Sequence, residues 1–437
     1  SLTFDQNFKF LIPLTIILVP GFIALFYALT TYLFIVLKPN KNLSSFFLFS
    51  LIFGIIELIR GSIFTGFPWN LIVYSFSNQA EILNITSIIG TYSFNLFCIS
   101  LFTSPSIFVL KDNKKDISIC IAFFISIISF YLFGLQKLET FNKQEVTKLD
   151  YKVRIISSNI GIDRFREDID PILAIEELIE ISSIKEDEKI IFVWPEGILP
   201  GIAQDELKEY KWLFGNKLNE NHLLAIGINS KANENQITNY FNSFSIYDHK
   251  LNLINSYKKN NLVPFGEFLP FEKMLRKIGL KTITNNYQSF SRGKERSIID
   301  LTNNNFSLKI LPLICYEIIY SGKIFNDNNF DFIVNISEDG WFGQSIGPDQ
   351  HFAHSIFRAV ESGKYVLRSA NNGITAIINP LGIIEQKIDL NKTGYIDFTN
   401  IRKIRTTLFA QYGNKIFVII ILLYIFLIFS FNKLKNE

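Results

Sequence analysis

The sequence predicts a bundle of membrane-spanning helices joined to an α/β layered domain, and three observations carry that reading. Apolar stretches long enough to cross a bilayer core recur four times before residue 137 and once near the C-terminus. Between them runs ordinary globular sequence in which short β-type segments alternate with amphipathic helical ones. The short loops joining the apolar stretches also carry Lys and Arg very unevenly.

The first span, 10–37, is uncharged and tolerates Pro13, Pro20 and Gly21 as membrane helices do. A second, 43–59, is interrupted only by Glu57. A third covers 82–110 and a fourth 117–135. The fifth, 416–431, is short and can extend over 408–415 if Lys415 snorkels to the headgroups. Residues 61–80 are uncharged too, but Gly61, Gly66, Pro68, Trp69 and Asn70 suit an irregular interfacial segment, with Trp69 as an aromatic anchor. Strands are expected at 152–159, 189–194, 223–229, 241–248, 308–315, 331–337, 365–369 and 375–379, and helices at 170–183, 205–218 and 350–364. The expected division is a membrane domain over 1–137, a globular domain over 138–405, and a C-terminal span with its tail over 406–437.

Seven Lys residues (38, 41, 111, 114, 115, 433 and 435) fall in short loops on one side, against Lys9 and Arg60 on the other. The positive-inside bias then places 136–410 outside the cytoplasm. The same parity puts the start of the chain outside, which fits an odd number of spans upstream.

Composition narrows the function. The chain is 48% hydrophobic with 44 Phe, and its net charge is only +3, with no basic block interleaved with aromatics, so nucleic-acid binding is unsupported. Three widely spaced cysteines form no disulfide framework; Cys98 and Cys120 sit in apolar runs as packing residues. His351 and His354, three apart, lack a third ligand of matching spacing and read as a packing pair, so no metal or other cofactor is expected. Glu57 and Arg60, one turn apart at a span end, are either functional or a snorkelling interfacial pair.

Two apolar strands end in reactive residues. The run from Ile190 to Pro195 ends at Glu196, and that from Ser307 to Ile314 ends at Cys315, followed by Tyr316 and Glu317. Between them Lys258 and Lys259 precede a turn. In α/β folds, sites are built at strand ends. A thiol needs a base to become a nucleophile and a cation or N–H donors to hold an oxyanion. Residue types alone equally allow Cys315 as buried filler and the charges as surface groups.

These segments resemble the nitrilase superfamily and, within it, the apolipoprotein N-acyltransferases. Trp194-Pro195-Glu196 is similar to that family's base segment, the run from Leu262 to Glu267 to its lysine loop, and Cys315-Tyr316-Glu317 to its nucleophile segment. The runs from Ser337 to Gly343, Gln350 to Phe352 and Arg368 to Thr375 continue the match, and Thr65-Gly66-Phe67-Pro68-Trp69 extends it into the membrane part. The resemblance implies a four-layer α-β-β-α sandwich. It implies Glu196 as general base, Cys315 as the acylated nucleophile, and Lys259 rather than Lys258 as oxyanion stabiliser. Glu267 would orient the lysine, Tyr316 and Glu317 would support the nucleophile, and Trp69 and Trp341 would meet substrate; for Trp341, a core position is the other reading. Phe265, Phe268, Trp341 and Phe342 flank the motifs and would limit water entry. Asn261 and Glu338 depart from the family's usual His and Asn, and the membrane part is shorter by about three spans.

The implied reaction moves an acyl chain from a phospholipid to the N-terminal amine of a diacylated apolipoprotein, at the surface of a bacterial inner membrane. A membrane-tethered amidase is the alternative enzyme, disfavoured because one helix would suffice as its anchor. A transporter with a regulatory domain is disfavoured by the scarcity of ionisable residues in the spans.

Overall fold

The computed structural model describes residues 12–111, 114–165, 170–234, 237–275, 277, 289–302, 305–324 and 327–433. Phe10, Lys9 and Lys435, used above for the first span and the loop charges, lie outside them. Among the described residues five helices are long and apolar enough to cross a membrane: Ile12–Leu37, Asn42–Arg60, Thr86–Leu110, Ile117–Asn142 and Lys415–Lys433.

Three of these differ in detail from the pattern of apolar residues. The third span is broken at Gly90, whose φ of 74° lies in the left-handed region. A Cβ there would sit 2.0 Å from the Phe409 ring, so the glycine both permits the turn and receives the aromatic. The fourth span stays helical to Asn142, seven residues past its apolar run. Its hydrogen-bonding ladder needs no apolar side chains, and Lys137 donates to Ser87 Oγ at 2.6 Å. The fifth does not extend backward. Residues Leu408–Tyr412 form a separate short helix closed at Gly413 (φ 55°), because Phe409 is held in the Gly90 notch.

Glu57 and Arg60 are both buried, so they do not snorkel. Arg60 pairs with Glu57 and donates to Phe67 O at 2.6 Å and Asn70 Oδ1 at 2.8 Å. The pair pins the irregular 61–80 segment to the end of the second span.

Among the described residues the globular part holds two six-stranded sheets. The first runs in the order β12 (Gly394–Ile401), β1 (Thr147–Ser157), β2 (Ile190–Val193), β3 (His222–Glu234), β4 (Ile237–Tyr247) and β5 (Leu253–Lys258). The second runs β11 (Ile384–Ile388), β10 (Thr375–Ile378), β9 (Tyr365–Asn371), β8 (Phe332–Glu338), β7 (Ser307–Ile314) and β6 (Ile299–Thr302). The centres, β1-β2-β3 and β7-β8-β9, are parallel.

Side-chain alternation builds the layers. Ile155, Val193 and Ala225 of the first sheet meet Ile314, Val334 and Leu367 of the second in one core. On the outside of the first sheet, Ile156, Phe192 and Leu224 pack on Ile175 and Leu178 of the helix Pro171–Ser182. On the outside of the second, Leu313, Ile333 and Val366 pack on Ile356 and Phe357 of the helix Gly347–Ser362. The four layers α-β-β-α follow. The last cluster continues into Phe94, Leu96 and Phe417 of the membrane helices, so the globular part and the spans share one apolar core.

The four strands that the sequence pattern misses, β5, β6, β11 and β12, are the four sheet edges. Edge strands carry solvated polar residues that interrupt an apolar run, as in Ile-Glu-Gln-Lys-Ile of β11. The expected helix over 205–218 is a 3-10 turn, Leu207–Tyr210, and one helical turn, Lys211–Phe214, stopped by Gly215 at φ 53°.

Candidate active site

Parallel strands end on one side of each sheet, and the two sheets bring those ends together. β2 delivers Glu196 and β7 delivers Cys315; β5, twice reversed through β4, runs in the same sense as β2 and ends on the same side at Lys259. All three line one cavity of about 520 Å³ with Glu267.

Cys315 has φ 49°, a left-handed conformation that costs a non-glycine residue about 1–3 kcal/mol. The turn is held by Ile314 N, which donates to Glu317 Oε2 at 3.0 Å, and the His351 ring packs on its other side with Nε2 3.3 Å from Cys315 O. Burial, then the charge of Glu196, push the thiol well above its ordinary pKa, with Lys259 acting in the opposite sense. The resting side chain is therefore a neutral thiol.

Lys259 is 1% exposed and lies between two carboxylates, 3.2 Å from Glu196 Oε1 and 3.0 Å from Glu267 Oε1. Burial alone would lower its pKa, but Glu196 and Glu267 hold it well above the ordinary lysine value. Asn242 Nδ2 donates to the same two oxygens, at 2.7 and 2.8 Å. The remaining oxygens are also fixed: Glu338 N donates to Glu196 Oε2 at 3.0 Å and Val263 N to Glu267 Oε2 at 2.8 Å. Burial raises the Glu267 pKa against the pull of Lys259. Lys258, one residue earlier, points elsewhere, its Nζ over the Phe241 ring at 4.0 Å. Strand alternation separates the two lysines.

Glu317 does not line the cavity. Its Oε1 accepts from Tyr257 OH at 2.7 Å, Asn260 N at 2.9 Å and Asn261 N at 3.1 Å, and its Oε2 holds Ile314 N. Hydrogen bonds to a charged acceptor contribute roughly 1.5–3 kcal/mol each, so this buried carboxylate ties the lysine loop firmly to the cysteine turn. Tyr316 OH donates to Gly66 O at 2.9 Å, joining the same turn to the segment between the spans. Tyr320 adds a bond to Thr65 O at 2.6 Å.

Trp69 is more than an interfacial anchor. Its Nε1 donates to Gln350 Oε1 at 2.6 Å, its ring stacks 5.6 Å from that of His351, and it walls the cavity with Phe67. Trp341 packs 4.8 Å from Phe165 and Phe342 lies beside it; all three line the cavity. Phe265 and Phe268 do not: Phe265 is 53% exposed, and Phe268 lines a neighbouring cleft. Their turn, with Phe265 at φ 62°, directs them away.

Several site groups lay beyond sequence reasoning. Asn242 is one of several polar residues in β4, beside Ser243 and Ser245, and nothing in the sequence sets it apart. Beneath Cys315, Asp339 accepts from His351 Nδ1 at 2.9 Å, Arg368 at 2.7 Å and Ser337 Oγ at 2.7 Å. Burial works to raise the Asp339 carboxyl, yet Arg368 and His351 hold it far below the usual carboxylate range. Burial and the charge of Arg368 lower the His351 pKa. The neutral ring is thus anchored at Asp339 beneath the cysteine turn rather than by simple packing, with its Nε2 3.3 Å from Cys315 O. Glu338 pairs with Arg164 and accepts from Asn371 at 2.7 Å, while its backbone serves Glu196.

Comparison with known proteins places the chain in a family. Residues 172–406 match the carbon-nitrogen hydrolase family, and residues 2–103 match the apolipoprotein N-acyltransferase N-terminal domain. An apolipoprotein N-acyltransferase of Rickettsia prowazekii (strain Madrid E) is 31% identical over 93% of this chain and 80% of its own length. That of Rickettsia typhi (strain ATCC VR-144 / Wilmington) is 32% identical over the same shares, and that of Rhizobium leguminosarum bv. trifolii (strain WSM2304) is 30% identical over 91% of this chain and 76% of its own length. With the fold and both family matches together, the chain belongs to the apolipoprotein N-acyltransferases, membrane acyltransferases built on the carbon-nitrogen hydrolase fold.

Proposed function

We propose that the enzyme carries an acyl chain on Cys315 from a membrane phospholipid to the α-amine of a diacylglyceryl-cysteine lipoprotein. The observation that carries this reading is a thiol, a buried ammonium and two carboxylates in one cavity, whose wall includes Phe67 and Trp69 from between two membrane spans. Both substrates keep their acyl chains in the bilayer, so a site partly walled by the membrane part suits them.

In the first half-reaction Glu196 takes the thiol proton as sulfur attacks the ester carbonyl. Negative charge develops on the carbonyl oxygen beside the Lys259 ammonium, which Glu267 keeps charged and oriented. Collapse breaks the ester C–O bond, the lysophospholipid alkoxide takes the proton from Glu196, and a thioester remains. In the second, the lipoprotein amine attacks that thioester and gives up its proton to Glu196, and the thiol is restored as the amide forms. Two headgroups cannot flank one sulfur together, so one group serves both steps in turn.

Intact-mass measurement tests this. Phospholipid alone should add one acyl group to the protein and release lysophospholipid, and diacylated lipopeptide should then remove the group. A thioester that decays as fast without lipopeptide identifies a hydrolase, the membrane-tethered amidase. The proposed location is the outer face of the cytoplasmic membrane, supported by the charge asymmetry of the short loops. A reporter inserted at Asn142 should be external and one after Phe431 cytoplasmic; a cytoplasmic signal at Asn142 would contradict both the orientation and the substrate assignment.

A further inference from the structure

A second cavity, polar and about 730 Å³, adjoins the reactive one, and Phe290 walls both. It lies between the turn after the second span (Ser62, Phe64, Thr65) and the chain just past Lys259 (Asn260, Asn261, Leu262). Four cations line it, Arg292, Lys294, Arg296 and Lys323, against two carboxylates, Glu272 and Glu295. Arg296 is the innermost, its side chain 6% exposed. It donates to Lys323 O and to Asn261 Oδ1, both at 2.6 Å, while its buried Nε–H has no hydrogen-bond partner and stands 3.8 Å from Glu317. Arg292 reaches Asn260 Oδ1 at 3.1 Å. Burial and the charge of Arg296 hold Lys323 below its ordinary pKa. Arg296 has Glu317 at 3.8 Å, but the four cations of the lining outnumber its two carboxylates, and an anion with several acceptor oxygens would pair with those that face the cleft.

We propose that this cleft binds the phosphate of the phospholipid donor while the donor's ester lies at Cys315; the inference rests on the acyl-transfer reading above. The position favours a lipid over free phosphate. Phe64, at the cleft edge and four residues past the second span, is 81% exposed, so the cleft opens beside the membrane end of that helix. Glycerol places a phosphate only a few bonds from an ester carbonyl, and two cavities with a common wall accommodate both groups. The diacylglyceryl-cysteine acceptor carries a thioether and no phosphate. The cleft therefore acts in thioester formation and not in its discharge.

The test compares phosphatidylethanolamine with diacylglycerol of the same chains, in the same micelles, following the thioester on Cys315 by intact mass. The variant combines Arg292→Gln, Lys294→Gln and Lys323→Gln, three exposed side chains whose loss spares the core. The unaltered protein should be acylated faster by the phospholipid. In the variant the half-saturating phospholipid concentration should rise about tenfold and the preference over diacylglycerol should vanish, as expected when charge-assisted contacts to one anion are removed. An unchanged phospholipid dependence overturns the assignment. So does an equal fall in discharge by lipopeptide, which would mark the cations as structural. Inorganic phosphate that competes at millimolar levels while the variant's lipid dependence is unchanged would identify a free-phosphate site instead. Absence of a thioester in the unaltered protein with either donor would overturn the acyl-transfer reading itself, whereas a thioester that forms equally well in the variant overturns only the cleft.

Discussion

Replacing Cys315 with alanine or with serine should reduce acyl transfer by about 10³-fold or more, with the fold retained. The reaction as proposed needs a sulfur that can leave as well as attack. A serine oxygen fits the space but is far harder to deprotonate, and the ester it would form is less activated than a thioester toward the lipoprotein amine. The burial that pushes the thiol pKa up also argues against tolerance of a weaker acid, since Glu196 must remove the proton from a buried side chain. Stability should change little, because alanine loses one heavy atom, serine only exchanges sulfur for oxygen, and the turn is held by the Glu317 contact to Ile314 N. The check is a paired measurement of lipopeptide acylation and thermal unfolding in detergent. Substantial transfer by either variant would remove Cys315 from the mechanism, and substitution of Cys98 or Cys120 serves as the control for thiol loss elsewhere.

Lys259→Ala should lower transfer by about 10²-fold or more, the scale on which single oxyanion-stabilising groups act. It should also destabilise, because Glu196 and Glu267 would face each other without the ammonium between them. Breaking a buried ion pair in this way costs roughly 3–5 kcal/mol. The pKa of Lys259 is raised in the folded protein, so its stabilising contribution is full below the ordinary lysine range and is lost only as pH rises through the higher folded value. The alanine variant should therefore show its deficit throughout the neutral range. Two companions separate chemistry from folding. Glu196→Gln keeps the side-chain size, leaves Glu267 paired with Lys259 and removes the base. It should lose transfer comparably with less destabilisation, the remaining cost being an amide NH2 that faces the Glu338 N–H. Lys258→Ala, which removes an ammonium lying over Phe241, should leave transfer within about twofold, since exposed or half-buried cations contribute little. The opposite ranking of the two lysines would shift the assignment by one residue.

The placement of Lys259 also marks the border between what was legible in the chain and what was not. Resemblance of the Tyr257 to Leu262 segment to the family's lysine loop singled out Lys259, and alternation along β5 explains why the neighbour diverges. Its second carboxylate partner, Glu267, was equally legible as a motif residue. Asn242, which donates to both carboxylates, was not, because it comes from a strand 17 residues before Lys259 and carries no motif of its own. Glu317 was legible as a supporting residue, yet its position outside the cavity required coordinates. Its acceptors' partners lie on two segments more than fifty residues apart.

The sequence by itself determined the five apolar spans, the central strands of both sheets, and the class of chemistry, because span length, continuous apolar runs and strand-end motifs are local properties. Tertiary structure alone decided the sheet edges, the break at Gly90, the burial of Glu57 and Arg60, and the network of Asp339, His351 and Arg368 under the cysteine. Each of those depends on which residue arrives to pair, pack or hydrogen-bond: Phe409 from the far end of the chain for Gly90, the fold-back that brings Phe67 and Asn70 to Arg60, a neighbouring ladder for an edge strand. Such pairings are set by how the backbone turns and closes in space, which the apolar pattern of a segment does not encode.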